Sequence, residues 1–249
     1  MKWRILFFVC LLAQTLHAQR EEKFYHYNSE WQPTDLKKAT YTVRIRKTSD
    51  TSYLKTTYYN LGPRMSQERF KDAACKTRHG LSAYYSPKGY IDSAGAYANN
   101  ILTGSWFFYK DNVMPFKRKD YENGQFIKDT LYTIPSKDAV AKDTATVPGE
   151  VESGFKGGAE GWAKYMQANF SYPVQAQKAG VQGMVILQFI IDTKGKVQEP
   201  EIDKSVEYSL DEEALRIIER SPAWSPASKD GKVLKSWKLQ PVIFRLTDK

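Results

Sequence analysis

The chain has 249 residues, of which 41% are hydrophobic, and a formal net charge of +9. This length allows one large domain or two small ones, and two cysteines exclude a framework of several disulfides. Only three histidines are present, which leaves little material for a metal site built from histidine and cysteine.

Residues 1–18 have the pattern of a secretory signal peptide. Lys2 and Arg4 precede an apolar run from Ile5 to Leu16, and Ala18 supplies a small residue at the cleavage point. A helix of that run would span only about 18 Å of a hydrocarbon layer of about 30 Å, which disfavours an uncleaved anchor. We therefore predict export to the periplasm, where nucleic acid is not an expected partner. Cleavage would remove Cys10, so Cys75 would be the only cysteine of the mature chain.

The region from residue 20 to 135 is predicted to be β-rich. Tyr41, Val43 and Ile45 alternate with polar residues, as in a half-buried strand. The pattern that starts at Gly80 recurs at Gly104, a period of 24 residues that suggests stacked supersecondary units. The pattern resembles the MORN-type β-hairpin repeat, and an ordinary antiparallel meander remains the alternative.

The stretch from residue 136 to 152 is polar, small and free of aromatic side chains, which predicts a linker. It separates the β-rich unit from a second unit at residues 153–249. That unit begins with a helix, because Trp162, Tyr165, Met166 and Phe170 have helical spacing, and Tyr172-Pro173 ends it.

Two strands follow, from Met184 to Ile191 and from Val197 to Ser205, with a turn between them. Pro200 places the second strand at an edge, because proline cannot donate to the ladder. The first strand is apolar on both faces apart from Gln188, so we expect its second face to be covered by the N-terminal unit or by a second copy of the chain.

A helix with a capping box at Ser209 and Glu212 comes next, and a last strand lies between Val233 and Leu246. The buried stripe of this helix is predicted to consist of Leu210, Ala214, Ile217 and Ile218. The predicted fold class is α+β, a small three-stranded antiparallel sheet backed by helices after the β-rich repeat domain.

The sequence contains no recognisable nucleophile, metal or nucleotide motif. Asp211, Glu212 and Glu213 are explained by helix capping, so they are not assigned an acid–base role. We therefore predict that the protein is not an enzyme and uses no metal or cofactor.

Six spaced motifs in the second unit resemble the C-terminal domain of TonB energy transducers, in the form common in Bacteroidetes-type envelopes. In chain order they are Phe155-Lys156-Gly157-Gly158, Asn169 to Pro173, Gly180 to Gly183, Leu210 to Leu215, Trp224-Ser225-Pro226 and Gln240 to Phe244. The resemblance implies a central first hairpin strand and a final strand on an open edge. It also implies that the domain docks an extended N-terminal segment, the Ton box, of outer-membrane receptors by β-augmentation during energised transport.

The same resemblance implies which residues contact the partner. They are Tyr172, Pro173, Gln175 and Gln177 after the first helix, and Ser236, Trp237, Lys238, Leu239, Gln240, Val242 and Phe244 on the last strand. An ExbB/ExbD-type motor and a homodimer remain open as further partners. The alternative function is an envelope adaptor that binds lipid or protein through its MORN-like repeats without transducing energy.

Overall fold

The computed structural model describes residues 21–110, 114–132 and 149–246. The predicted signal peptide and residues 136–148 of the predicted linker lie outside these residues. The described part consists of an N-terminal β-sheet and a C-terminal α+β unit, so the α+β fold class is confirmed.

The N-terminal sheet has nine antiparallel strands within the described residues, each paired with the next in the chain. The strands are β1 Glu22–Tyr27, β2 Tyr41–Ser49, β3 Ser52–Tyr59, β4 Arg64–Phe70, β5 Arg78–Tyr85, β6 Ile91–Ala98, β7 Ile101–Lys110, β8 Met114–Glu122 and β9 Gln125–Leu131. A short 3₁₀ turn, Leu36–Lys38, lies between β1 and β2.

The 24-residue period corresponds to two hairpins of identical register. A glycine faces a tyrosine in both, in the pairs Gly80–Tyr97 and Gly104–Tyr121. The turns that follow, at residues 99–100 and 123–124, each place two residues at positive φ, as a two-residue type I′ hairpin turn requires. The overall strand order is that of an antiparallel meander, and membership of the MORN family stays a prediction.

The C-terminal unit contains two small sheets and three helices within the described residues. Its elements are β10 Glu150–Val151, α1 Gly158–Asn169, α2 Val174–Lys178, β11 Gly183–Ile191, β12 Val197–Lys204, α3 Tyr208–Glu219, β13 Ala227–Lys229, β14 Lys232–Leu234 and β15 Ser236–Phe244. The main sheet has the order β12-β11-β15, and a minor sheet has the order β10-β13-β14. The predicted central and edge strands are therefore confirmed, whereas β10 occupies residues that were predicted to be linker.

One face of the main sheet forms the core. Alternate side chains of β11 (Val185, Leu187, Phe189 and Ile191) are fully buried, as is the predicted stripe of α3. The β11–β12 turn is fixed to Trp224, whose N–H donates to the Gly195 carbonyl over 2.8 Å. A Cβ at Gly195 would lie 2.0 Å from the Trp224 carbonyl oxygen, so this turn requires glycine.

The cap of α3 differs from the prediction. The helix begins at Tyr208, and the N-cap is Glu207, whose carboxylate accepts from the N–H groups of Ser209 and Leu210. The predicted capping box of Ser209 with Glu212 is wrong, because Glu207 already satisfies these N–H groups. Glu212 is thereby free to pair with Arg44 of the N-terminal sheet.

Buried ion pairs join the two units. Arg44 lies on β2 and donates to both carboxylate oxygens of Glu22 and to both of Glu212, over distances of 2.6–3.1 Å. Arg64 on β4 lies 3.4 Å from Asp211, and both side chains are almost completely buried. The explanation of Asp211 and Glu212 by capping alone is therefore wrong, since both carboxylates hold the units together.

The N-terminal sheet also covers part of the outer edge of β12. The Tyr85 hydroxyl donates to the Ile202 carbonyl over 2.9 Å, and Tyr90 forms a β-bridge with Lys204. The N–H of Ser205 donates to the Gly89 carbonyl over 2.8 Å. The chain itself thus occupies one end of the β12 edge, whereas β15, among the described strands, is hydrogen-bonded to β11 only and has a free edge.

Candidate docking edge

The position of Pro241 determines which backbone groups of β15 point outwards. Pro241 pairs with Ile186 of β11, and a proline cannot supply the N–H that a hydrogen-bonded pair needs. The hydrogen-bonded pairs must therefore be its neighbours, Gln240 with Leu187 and Val242 with Val185. By alternation, the backbone groups of Trp237, Leu239, Pro241 and Ile243 face away from β11.

These outward positions carry the exposed apolar side chains of β15. Trp237, Leu239 and Ile243 are 64%, 57% and 51% exposed, whereas Val242 and Phe244 on the core face are buried. Their neighbours on β11, including Ile186 and Ile190, are only half-buried. The N-terminal unit leaves the β15 side of this second face open to solvent, and cover by a second copy of the chain stays a prediction.

A groove of about 680 Å³ runs beside the first half of β15. Its far wall is residues 150–153 and the minor sheet, and its near wall includes Trp237, Lys238 and Leu239. Two contacts fix the wall to the strand: the hydroxyls of Ser236 and Ser153 are 2.7 Å apart, and Lys238 Nζ lies 3.8 Å from the Glu152 carboxylate. The groove therefore borders the first half of the free edge.

Tyr172, the first of the residues predicted after the first helix, lies at the opposite end of β15. The Tyr172 ring contacts Phe244 with centroids 5.7 Å apart, and its hydroxyl donates to the Val181 carbonyl over 2.6 Å. Partial burial raises the pKa of this hydroxyl above its usual value. Tyr172 thus closes the loop around α2, and Phe244 is part of the core.

Pro173 is the N-cap of α2, and Gln175 and Gln177 are exposed on that helix. The structure therefore separates the predicted set. Residues 236–239 line the groove, while Tyr172 lies at the end of β15 that carries Phe244. Gln175 lines a different surface, a cleft against the N-terminal sheet. Gln240 lies between residues 236–239 and Phe244 on β15 with a half-buried side chain, and Val242 faces the core.

Sequence reasoning missed the wall of the groove. Residues 150–152 were assigned to a linker because they have neither aromatic residues nor a sustained apolar period. Their strand geometry depends on pairing with β13, which lies far away in sequence and has only three residues. Such short pairings leave no periodic signal.

Among the described residues, no cluster of three or more histidine, cysteine or acidic side chains could hold a metal ion. The same part of the chain contains no helix of the length and hydrophobicity needed to cross a membrane. The β15 edge offers outward-facing backbone groups and the exposed apolar side chains of Trp237, Leu239 and Ile243.

Residues 168–246 match the family model described as Gram-negative bacterial TonB protein C-terminal. The resemblance of this segment to the TonB C-terminal domain is thereby confirmed. A search of curated proteins and a search of solved structures each found no match. The matched family is envelope-associated and non-enzymatic and acts with outer-membrane receptors, which supports a TonB-like role in transport.

Proposed function

We propose that this protein docks the extended N-terminal segment, the Ton box, of TonB-dependent outer-membrane receptors on the free edge of β15, in the periplasm and in energised transport. The observation that carries the proposal is the free edge itself. It presents unpaired N–H and C=O groups beside a groove, within the segment that matches the TonB family.

The alternation along β15 specifies how a docked strand would bond. Trp237 and Leu239 offer both a donor and an acceptor, whereas Pro241 offers only its carbonyl. A docked strand would therefore be held most firmly beside residues 236–240, where the groove lies. Continuing along the nine residues of β15, about 30 Å, it would reach the end of the strand at Phe244, which the Tyr172 ring contacts. A contact of Gln177 with the docked strand remains part of the proposal.

The exposed side chains add apolar contact to this backbone ladder. A strand paired with β15 would place alternate side chains next to Trp237 and Leu239 on the outer face of the sheet. Burying such side chains contributes about 1.5–3 kcal/mol each, which supports an apolar alternation in the docked segment.

The proposal is tested by titrating synthetic receptor N-terminal peptides into the full chain, with circular dichroism as the folding control. In Leu239→Pro, the outward donor is removed while the ladder to β11 is kept, so we expect binding to be lost in a folded protein. Leu239→Val keeps the N–H and serves as the matched control, with affinity within about threefold of the wild type.

Lys238→Pro provides the opposite case. The N–H of Lys238 points towards β11, so this substitution should destabilise the domain. A folded Leu239→Pro variant that binds the peptides as the wild type does would rule out docking on this edge.

A further inference from the structure

A second concave surface lies between the two units, away from the groove at β15. It is a cleft of about 800 Å³ whose walls come from the N-terminal sheet on one side and from α2 and the start of α3 on the other. Clefts of this size between structural units are common sites for small ligands.

Aromatic and aliphatic side chains form the apolar part of the cleft. The Tyr208 ring packs edge-on against Phe24 and Tyr58, with centroids 5.4 Å and 5.6 Å away. Leu36 and Leu61 also line the cleft, and both remain about half exposed. The Arg44 guanidinium packs against this wall, 5.1 Å from the centre of the Tyr208 ring.

The charged groups of the cleft favour an anion. Lys37 lines it from the 3₁₀ turn and Lys178 from α2, and both are exposed. Neither lysine forms an ion pair with any described residue. The carboxylate in the lining, Glu207, accepts hydrogen bonds from the start of α3 through one oxygen, and the two lysines outnumber it.

We propose that this cleft binds a single-chain anionic amphiphile of the fatty-acid type. Its apolar body would lie against Phe24, Leu61 and Tyr208, and its carboxylate would be held near Lys37 and Lys178. Because the two lysines come from different units, a bound ligand would bridge them. The proposal does not depend on the function proposed for β15.

The test is calorimetric titration of monomeric dodecanoate into the full chain, with dodecanol and dodecyltrimethylammonium as neutral and cationic probes of equal chain length. We expect one dodecanoate per chain, bound at least about tenfold more tightly than either analogue. Binding of all three with equal affinity would overturn the proposal, and so would binding only to anionic lipid vesicles.

Two variants locate the site. The double variant Lys37→Glu/Lys178→Glu should weaken dodecanoate binding at least about tenfold. Lys194→Glu/Lys196→Glu changes the charge equally in the exposed β11–β12 turn and should leave the affinity unchanged. If both double variants weaken binding to the same degree, the effect is one of net charge and the cleft is not the site.

Leu61→Asn tests the apolar wall. Leu61 has a φ of 53° and is half exposed, so asparagine fits the backbone without strain and leaves no buried cavity. We expect weaker dodecanoate binding with unchanged stability. Wild-type affinity in this variant would contradict the assignment of the apolar body to this wall. Peptide binding at β15 should be unaffected, so failure of one proposal is distinguishable from failure of the other.

Discussion

Arg64 Nη2 lies 3.4 Å from the Asp211 carboxylate, and this pair joins the N-terminal sheet to the helix that backs the C-terminal sheet. Ser205 completes the junction, because its hydroxyl donates to Asp211 over 2.7 Å and accepts from the Arg64 backbone N–H over 2.9 Å. The Arg64 guanidinium also donates to the Tyr58 hydroxyl over 2.9 Å. Burial lowers the pKa of Arg64, but its hydroxyl and carboxylate neighbours outweigh burial and raise it.

Removing one partner of this buried pair should be strongly destabilising. Asp211→Ala leaves the Arg64 charge buried and uncompensated, so we expect the free energy of unfolding at pH 7 to fall by about 3–5 kcal/mol. Asp50→Ala, at a fully exposed carboxylate, is the control and should change little. Urea unfolding measures both. The combined change Arg64→Met/Asp211→Leu should recover much of the loss, and no recovery would contradict this explanation.

The same carboxylate predicts a pH dependence of stability. Burial raises the pKa of Asp211 from 3.8 to about 6, although the Arg64 charge and the hydrogen bonds from Ser205 and Val206 lower it. Between these two pKa values the native state keeps a proton on Asp211 that the unfolded state has lost. The stability contributed by the protonated carboxyl group is therefore fully present below pH 4 and is lost as the pH rises through 6.

Comparison with Asp211→Asn isolates this titration. Between pH 4 and pH 7, the free energy of unfolding of the wild type minus that of the variant should fall by roughly 2–3 kcal/mol. A difference that stays flat or rises over this range would show that the carboxylate is not destabilised by burial.

Gly89 permits the close approach of the two units. Its φ is +81°, and a Cβ there would lie 2.0 Å from the Ser205 carbonyl oxygen. Gly231 has a similar φ of +76° but open space around it, so Gly231→Ala measures the backbone strain alone, about 1–2 kcal/mol. Thermal unfolding should show a distinctly larger loss for Gly89→Ala. Equal losses would mean that this contact is not tight in solution.

Substitution of Arg44 tests the second ion pair between the units, which Arg44 forms with Glu212. Arg44→Lys keeps the charge but cannot donate to two carboxylates in bidentate fashion, so we expect a loss of about 2–3 kcal/mol. Hydrogen exchange should accelerate at the start of α3, where Glu212 lies. Lys47→Arg, on the same strand but paired with the exposed Asp50 instead of with α3, should leave exchange in α3 unchanged.

The sequence predicted the elements that carry periodic signals. The apolar run of β11 and the stripe of α3 predicted these elements, and Pro200 predicted the edge position of β12, whereas the rest of the strand order came from the resemblance. The contact between the units could not be predicted in this way. Arg44 stands at a polar position of an alternating strand, where solvent exposure is the usual expectation, yet it is 4% exposed because it faces Glu212.

The candidate site could be predicted only in part from the sequence. The last strand and its edge position followed from the resemblance, and Pro241 then fixed which residues face outwards. The groove depends on β10 and β13, whose short pairing has no local signature. The cleft beneath α2 depends on how the two units pack, which is set by single buried ion pairs and not by a pattern.

Docking on β15 is tested most directly by amide hydrogen exchange, residue by residue, with and without a bound receptor peptide. We predict new protection at the outward-facing amides of Trp237, Leu239 and Ile243. The amides of Lys238, Gln240 and Val242 should change little, because they already bond to β11. A peptide that binds without protecting the outward amides, or that protects the β12 edge instead, would contradict docking on β15.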